Sequence, residues 1–156
     1  MHEVAGVTKD EINKRFEHGD LCFVTGDDQR YFGIAWGHAG KCYIRGAGYL
    51  LNIDTHDVYL YGAVTIPGMR RQHVIDSIRN VMCMHYINQG ARKAYVLIDD
   101  RNDKMKTYFT ESGYVRKEYI RYVKFSRIGL RVDYDYERKR FGIQLLTAEP
   151  TDCEII

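Results

Sequence analysis

The stretch VTIPGMRRQHVIDSIRNV, Val64–Val81, joins two patterns of different period. A β-branched apolar run stops at Pro67-Gly68, two arginines follow, and apolar residues then recur every three or four positions. Val74, Ile75, Ile78, Val81, Met82 and Tyr86 make the stripe and Gly90 closes it, so the spacing predicts a helix from about Arg70 to Asn88. A helix N-terminus carries partial positive charge and disfavours cations. Arg70 and Arg71 at that position are either solvated, with Asp76 offsetting the dipole, or they answer an anion.

Upstream, DVYLYGAVTI reads as a central strand, apolar on both faces and rich in β-branched and aromatic residues. TKDEINKRFEHGD carries a capping box, Thr8 with Glu11, and ends on Gly19, which predicts a short helix with Ile12 and Phe16 inward. LCFVTGDDQRYFGIAWGH is a hairpin signal around Gly26-Asp27-Asp28, and KCYIRGAGYLLNID continues as extended chain broken near Gly46 and Gly48. Downstream, KAYVLID reads as a short buried strand and RNDKMKTYFTESGY as a second helix ending at Gly113. The alternating segments YVRKEYIRYVKFSR and GLRVDYDYERKRFGIQLL predict antiparallel strands, with Gly129 at a turn. This order predicts an α+β fold in one domain, residues 1–146, with a mixed, mainly antiparallel sheet flanked by helices and a tail at 147–156.

The chain has 156 residues, 45% hydrophobic, enough for a real core. Its net charge of +2 is too small to indicate a nucleic-acid partner, but it is uneven. Residues 91–140 carry 14 Lys and Arg against 8 Asp and Glu, a local excess that suits an anionic ligand or solvated strands. The opening MHEVAGVTKDEINKRF has no apolar core, and no apolar run reaches the roughly 20 residues of a membrane span. The scattered cysteines Cys22, Cys42, Cys83 and Cys153 form no metal-ligand spacing. The expectation is a cytoplasmic protein with no metal and no membrane or nucleic-acid partner.

Two segments together, YLYGAVTIPGMRRQHVIDSI and GARKAYVLIDDRNDKMKTYFTESGYVRKEY, resemble the core of the GNAT N-acetyltransferase superfamily. In that family a hydrophobic-Xaa-Pro strand end leads to an Arg/Gln-x-x-Gly-x-Gly/Ala loop that opens a helix. After the next strand comes an Asn, then Gly-Tyr or Gly-Phe; here Asn102 is followed eleven and twelve residues later by Gly113-Tyr114. The resemblance spans about residues 8–125 and is more specific in its second half. It implies an N-acyltransferase, most simply an acetyltransferase, with acetyl-CoA or another acyl-CoA as co-substrate and an amine as acceptor. It also implies a set of binding residues. Val64, Thr65 and Ile66 would pair with the pantetheine arm, and Arg70, Arg71, Gln72, His73, Val74, Ile75 and Asp76 would receive the pyrophosphate. Asn102 would lie near the pantetheine or cap the next helix, and Phe109 aligns with the family's thiolate-protonating Tyr.

Three positions depart from the family pattern. His73 and Ile75 stand where the loop has glycine, and glycine there admits close approach to phosphate. Phe109 replaces the acid, with Tyr108 adjacent but about 100° away around a helix. No Glu stands on the central strand; alternation back from Thr65 through Ala63 puts Tyr61, Tyr59 and Asp57 on its face, a parity that a bulge would change, so Tyr59 and Tyr61, with Tyr108 as acid, are the candidate catalytic groups. Each of the three has packing as its alternative role, as do Trp36, Tyr114, Tyr119, Tyr122, Tyr134 and Tyr136. The departures leave open a GNAT-fold binding or regulatory module without turnover, or a donor held on an acyl-carrier protein. FGIQLL is an additional strand that would serve a homodimer.

Overall fold

A short capped helix begins the described chain. The computed structural model describes residues 7–44, 47–125, 128–146 and 154–155. Helix α1 (Lys9–Glu17) starts where Thr8 Oγ1 accepts from the Glu11 amide at 3.2 Å. It ends in a Schellman-type turn: Asp20 N donates to Arg15 O, and Gly19 takes the left-handed φ of 81° that the turn needs. Strands β1 (Leu21–Gly26) and β2 (Tyr31–Ala39) form the expected antiparallel hairpin. Asp27 Oδ1 accepts from the amides of Gln29 and Arg30 and fixes its turn.

The chain divides into two compact units. In the first, made of residues 1–41 and 52–96, the sheet order is β1-β2-β5-β6, where β5 is Val58–Thr65 and β6 is Ala94–Tyr95. β5 is antiparallel to β2 and parallel to β6, with helix α2 (Val74–Asn88) as the crossover. Val74, Ile78, Met82 and Tyr86 lie four apart and bury one stripe of α2 against Ala35, Val58 and Leu60. Gly33 and Gly37 of β2 face the same helix: an added Cβ would strike Val74 and Ile78 at one and the Tyr86 ring at the other. Val81, expected in the stripe, is 61% exposed, because the stripe follows the i, i+4 row and leaves it to one side.

The opposite face of the sheet carries Ile34, Trp36 and His38 from β2 and Tyr59 and Tyr61 from β5, since Trp36 pairs with Tyr61 and His38 with Tyr59. Phe16 is half exposed, yet its ring lies 5.2 Å from that of Trp36. β6 is shorter than the KAYVLID run promised, only two residues, with Leu97 exposed beyond it. Its place is held by Asp57, a buried carboxylate whose Oδ1 accepts from the amides of Arg92 (3.2 Å) and Lys93 (3.0 Å).

The second unit, residues 42–51 and 97–156, holds two small sheets and helix α3 (Asp103–Glu111). β3 (Cys42–Ile44) and β4 (Tyr49–Leu51) are antiparallel. β10 (Glu154–Ile155), in the segment expected to be a tail, runs parallel beside β3. β7 (Glu118–Phe125), β8 (Ile128–Asp135) and β9 (Arg140–Leu146) form an antiparallel meander. Gly129 sits within β8, paired with Lys124, and not at a turn as expected. A Cβ there, or at Gly48, would collide with the Tyr122 ring. The Tyr49 hydroxyl donates to Glu118, with Arg131 stacked over the Tyr49 ring. Gly46 and Cys153 lie outside the described residues. No helix among the described residues is long and apolar enough to cross a membrane.

Asp57 is thus a structural anchor and not a candidate base. Asp57→Ala is expected to lower stability by about 1–3 kcal/mol, the cost of leaving two amides short of an acceptor. Urea denaturation followed by circular dichroism measures it, and Asp57→Asn, which keeps an acceptor oxygen, should recover most of the loss.

Candidate active site

The site begins with one extra residue in β5. Ile34 pairs with Val64 and Trp36 with Tyr61, so Gly62 and Ala63 together face the single residue Ala35. This is a β-bulge, and Gly62 adopts the left-handed φ of 59° that a bulge position commonly demands. A Cβ on Gly62 would stand 3.1 Å from the Trp36 ring. The bulge reverses the alternation of the strand. Thr65, opposite Gly33, faces α2, while Tyr59 and Tyr61 face the other side with Val64. The sequence expectation that Thr65, Ala63, Tyr61, Tyr59 and Asp57 share one face is therefore wrong, and the bulge is the reason.

The same reversal decides which backbone groups are available. Val58 N donates to Lys93 O, so Val58 and Leu60 point their peptide groups toward β6. Ile66 N donates to Phe32 O at 3.0 Å, so Ile66 and Val64 point toward β2, and Thr65 and Ala63 toward the β6 edge. Pairing with β6 stops at Tyr59, opposite Tyr95. Beyond it the β5 edge has no strand partner from β6, and an extended ligand can pair there as an added strand. Of Val64, Thr65 and Ile66, only Thr65 has backbone groups on that edge; Ala63 joins it, unforeseen. Thr65 Oγ1 is buried without a hydrogen-bond partner among the described residues.

The edge leads into a strained loop. Pro67–Met69 is one turn of 3-10 helix, and α2 begins at Val74, four residues later than the spacing suggested. Arg70 and Arg71 therefore precede the helix and do not occupy its first turn. Arg71 (φ 65°) and His73 (φ 56°) are both left-handed, which costs a non-glycine residue about 1–2 kcal/mol. His73 is the N-cap but makes no capping hydrogen bond; its side chain is 87% exposed and its Nδ1 lies 2.9 Å from Asp76 Oδ2. The first helical bond runs from Ser77 N to His73 O, so the amides of the first turn precede the ladder. Ile75 is ordinary helix, so only His73 of the two glycine-pattern positions carries glycine-like backbone. Gln72 Nε2 donates to Gly68 O at 3.3 Å. Asp76 pairs with His73 and Arg79, and among the described residues neither Arg70 nor Arg71 has an ion-pair partner. Strain, a positive helix end and two unspent guanidiniums at the end of an open strand edge suit a diphosphate on an extended arm.

Beyond the bulge, the Tyr59 and Tyr61 rings stack at 5.4 Å. The Tyr61 hydroxyl donates to Asp20 Oδ2 at 2.5 Å, and Asp20 Oδ1 lies 2.6 Å from His38 Nδ1. Asp20 is 2% exposed and His38 5%. Burial, then the bond to Asp20, pushes the Tyr61 phenol well above its ordinary value. Arg15 stacks its guanidinium 5.0 Å from the Trp36 ring and 5.2 Å from the Tyr61 ring. Asp20 and His38 were not singled out from the sequence. The glycine of YLYGAVT inside an apolar strand was the readable sign of the bulge.

The remaining predicted residues lie in the second unit. Asn102 Oδ1 accepts from the Met105 amide at 3.2 Å and so takes the capping role. The Tyr108 and Phe109 rings meet edge to face at 5.1 Å, and Phe109 meets Tyr114 at 4.9 Å. These three aromatics pack on one another. Among the described residues no group of three His, Cys, Asp or Glu is placed to hold a metal ion.

No protein-family model matches the chain, and no curated protein matches it by sequence. Solved structures do match in fold. The aminoglycoside acetyltransferase AAC(6')-Iy, in complex with the bisubstrate analogue CoA-S-monomethyl-acetylneamine, aligns at TM-score 0.62 and 17% identity over 78% of this chain and 82% of its own. Glucosamine-6-phosphate N-acetyltransferase from Arabidopsis thaliana aligns at TM-score 0.53 and 15% identity, over 80% of this chain and 82% of its own. An aminoglycoside acetyltransferase from an uncultured soil metagenomic sample, in complex with sisomicin, gives 0.56 and 12% over 81% and 78%. The chain therefore has the GNAT acetyltransferase fold.

His73→Gly is expected to raise stability by about 1 kcal/mol by relieving the left-handed strain. His73→Ala, which keeps a Cβ, should not. Thermal melts of both variants beside the wild type decide whether the strain is real.

Proposed function

We propose that this chain is an acyl-CoA-dependent N-acyltransferase, most simply an acetyltransferase, that moves the acyl group directly from the thioester to an amine. The observation that carries this reading is the β5 edge, which beyond Tyr59 has no strand partner among the described residues, running into a loop with two left-handed residues and two arginines without ion-pair partners there. An extended pantetheine arm pairs with Ala63 and Thr65, and the diphosphate meets Arg70, Arg71 and the first amides of α2. Traced back along β5, the thioester reaches the bulge beside Tyr61, where the acceptor amine attacks. Holding thioester and amine together is the main contribution such a site makes. The acceptor is a primary amine, small or on a protein. The fold relatives support the class, since the structures named above are N-acetyltransferases of aminoglycosides and of glucosamine 6-phosphate.

His73 favours a second reading. A Cβ and imidazole stand where the family pattern has glycine, which suits a binding module that holds acyl-CoA without turnover, or a donor on a carrier protein that lacks the nucleotide half. Thiol release across a panel of primary amines, with acyl-CoA and acyl-carrier donors compared, separates these from the enzyme.

Calorimetry with acetyl-CoA tests the site directly. Binding is expected, weakening about tenfold with Arg70→Gln or Arg71→Gln as one charge-assisted contact is lost. The same variants should leave binding of S-acetylpantetheine, which has no diphosphate, unchanged. Absence of any acyl-CoA binding at millimolar concentration overturns the reading.

A further inference from the structure

We propose that Asp20 is the proton sink of the reaction, receiving the acceptor amine's proton through Tyr61 while His38 holds it in place. The proposal rests on the acyl-transfer reading above and adds the acid–base route that reading lacks. No carboxylate projects from β5 next to the bulge, but Tyr61, the last residue before it, reaches one by a hydrogen bond.

The local chain explains how an aspartate comes to lie there. Gly19 turns α1 back on itself, and the next residue, Asp20, passes under the sheet face that carries Trp36, His38, Tyr59 and Tyr61. At 2% exposure its charge is costly to bury, and apolar residues of similar volume would serve stability as well or better. The cost is partly offset by two donors, Tyr61 Oη–H on Oδ2 and His38 Nδ1–H on Oδ1. That arrangement assigns His38 the Nδ1–H tautomer and leaves Tyr61 as the hinge between the buried carboxylate and the partly exposed end of the face. The other ionisable groups around the pair are Arg15 with its partner Glu11 on α1, Cys22 on β1, Tyr59 on β5 and Tyr86 on α2. Arg15, a cation, stacks on the Tyr61 ring and favours transient negative charge on that oxygen.

The step balances without any other reactant. The amine lone pair forms the C–N bond, and the carbonyl π pair moves to oxygen. The proton on nitrogen passes to Tyr61 Oη as the proton of Tyr61 passes to Asp20 Oδ2, so the phenol is neutral before and after. This fits a phenol held protonated well above its ordinary range. The oxyanion then re-forms the carbonyl, the C–S bond breaks, and the thiolate leaves and is protonated by water. Asp20 returns its proton through Tyr61 to solvent.

The test uses the full chain with acetyl-CoA and primary-amine probes: glucosamine 6-phosphate, neamine, a lysine peptide and a diamine. Asp20→Asn and Tyr61→Phe should bind acetyl-CoA within twofold of wild type. Their kcat/KM for the best probe should fall by about 100-fold or more, the usual scale of general-base catalysis. As pH falls, log kcat/KM of the wild type should drop with a limiting slope of about two, from the free amine and the proton sink together, and that of both variants with a slope of about one, from the free amine alone. If Asp20→Asn fails to fold, Tyr61→Phe, which removes one oxygen, carries the test. Variants that only melt lower and keep the wild-type pH profile overturn the proposal and reduce the trio to a fold staple. A wild type that binds acetyl-CoA but acetylates no probe overturns it too, while the binding part of the functional reading stands. No acetyl-CoA binding at all removes both.

Discussion

The bulge at Gly62-Ala63 is the constraint on which the rest of the first unit depends. A strand in mid-sheet normally spends both edges on its neighbours. β5 must instead pack Val58 and Leu60 under α2, stay bonded to β2 along its length, and still present free peptide groups at its far end. One extra residue reconciles these demands. It leaves the β2 ladder intact on either side, at Trp36–Tyr61 and at Ile34–Val64, while reversing the faces in between. Only glycine meets the required left-handed backbone beside the Trp36 ring without strain. The two-residue β6 completes the effect, because a longer strand would have consumed the edge.

The loop that follows spends stability that the core supplies. Two left-handed non-glycine residues cost together a few kcal/mol, a sizeable part of the 5–15 kcal/mol that holds a domain folded. They persist because both ends are fixed. Ile66 is tied to Phe32, and Val74 is buried at the head of the α2 stripe. Such an arrangement is expected where backbone amides must converge on a ligand, and the exposed His73 ring has no packing reason to be there.

Much of this was legible in the sequence because it is local. The Thr8–Glu11 cap, the Asp27 turn, the α2 stripe apart from Val81, and the Asn102–Gly113 helix each depend on spacing within one element and stand where the pattern puts them. What was misread depends on partners far along the chain. Arg70–His73 is helix-compatible by residue type, yet Arg71 and His73 take left-handed backbone and α2 begins only at Val74. The face of Tyr59 and Tyr61 was assigned by alternation, which a single unpaired residue overturns, although the glycine inside an apolar strand marked the place. Asp20 was silent: an aspartate after a helix-closing glycine looks like any solvated turn residue, and nothing nearby in sequence reveals that His38 and Tyr61 come to meet it.

The sheet also separates two electrostatic demands that would conflict if adjacent. A diphosphate needs a positive field, and a proton acceptor needs its own negative charge undisturbed. From Tyr61 to Thr65 the strand alone advances about 10 Å, three ladder steps of ~3.3 Å because the bulge adds a residue without adding length, and the arginine loop lies further on. Asp20 reaches Tyr61 from the α1 face, whereas Thr65 and the α2 end lie on the other. A ligand laid along the β5 edge would therefore bring its reacting end toward the buried carboxylate while its charged end stays about a strand's length away, on the other face. The strand sets that distance, and the bulge sets which face each end meets.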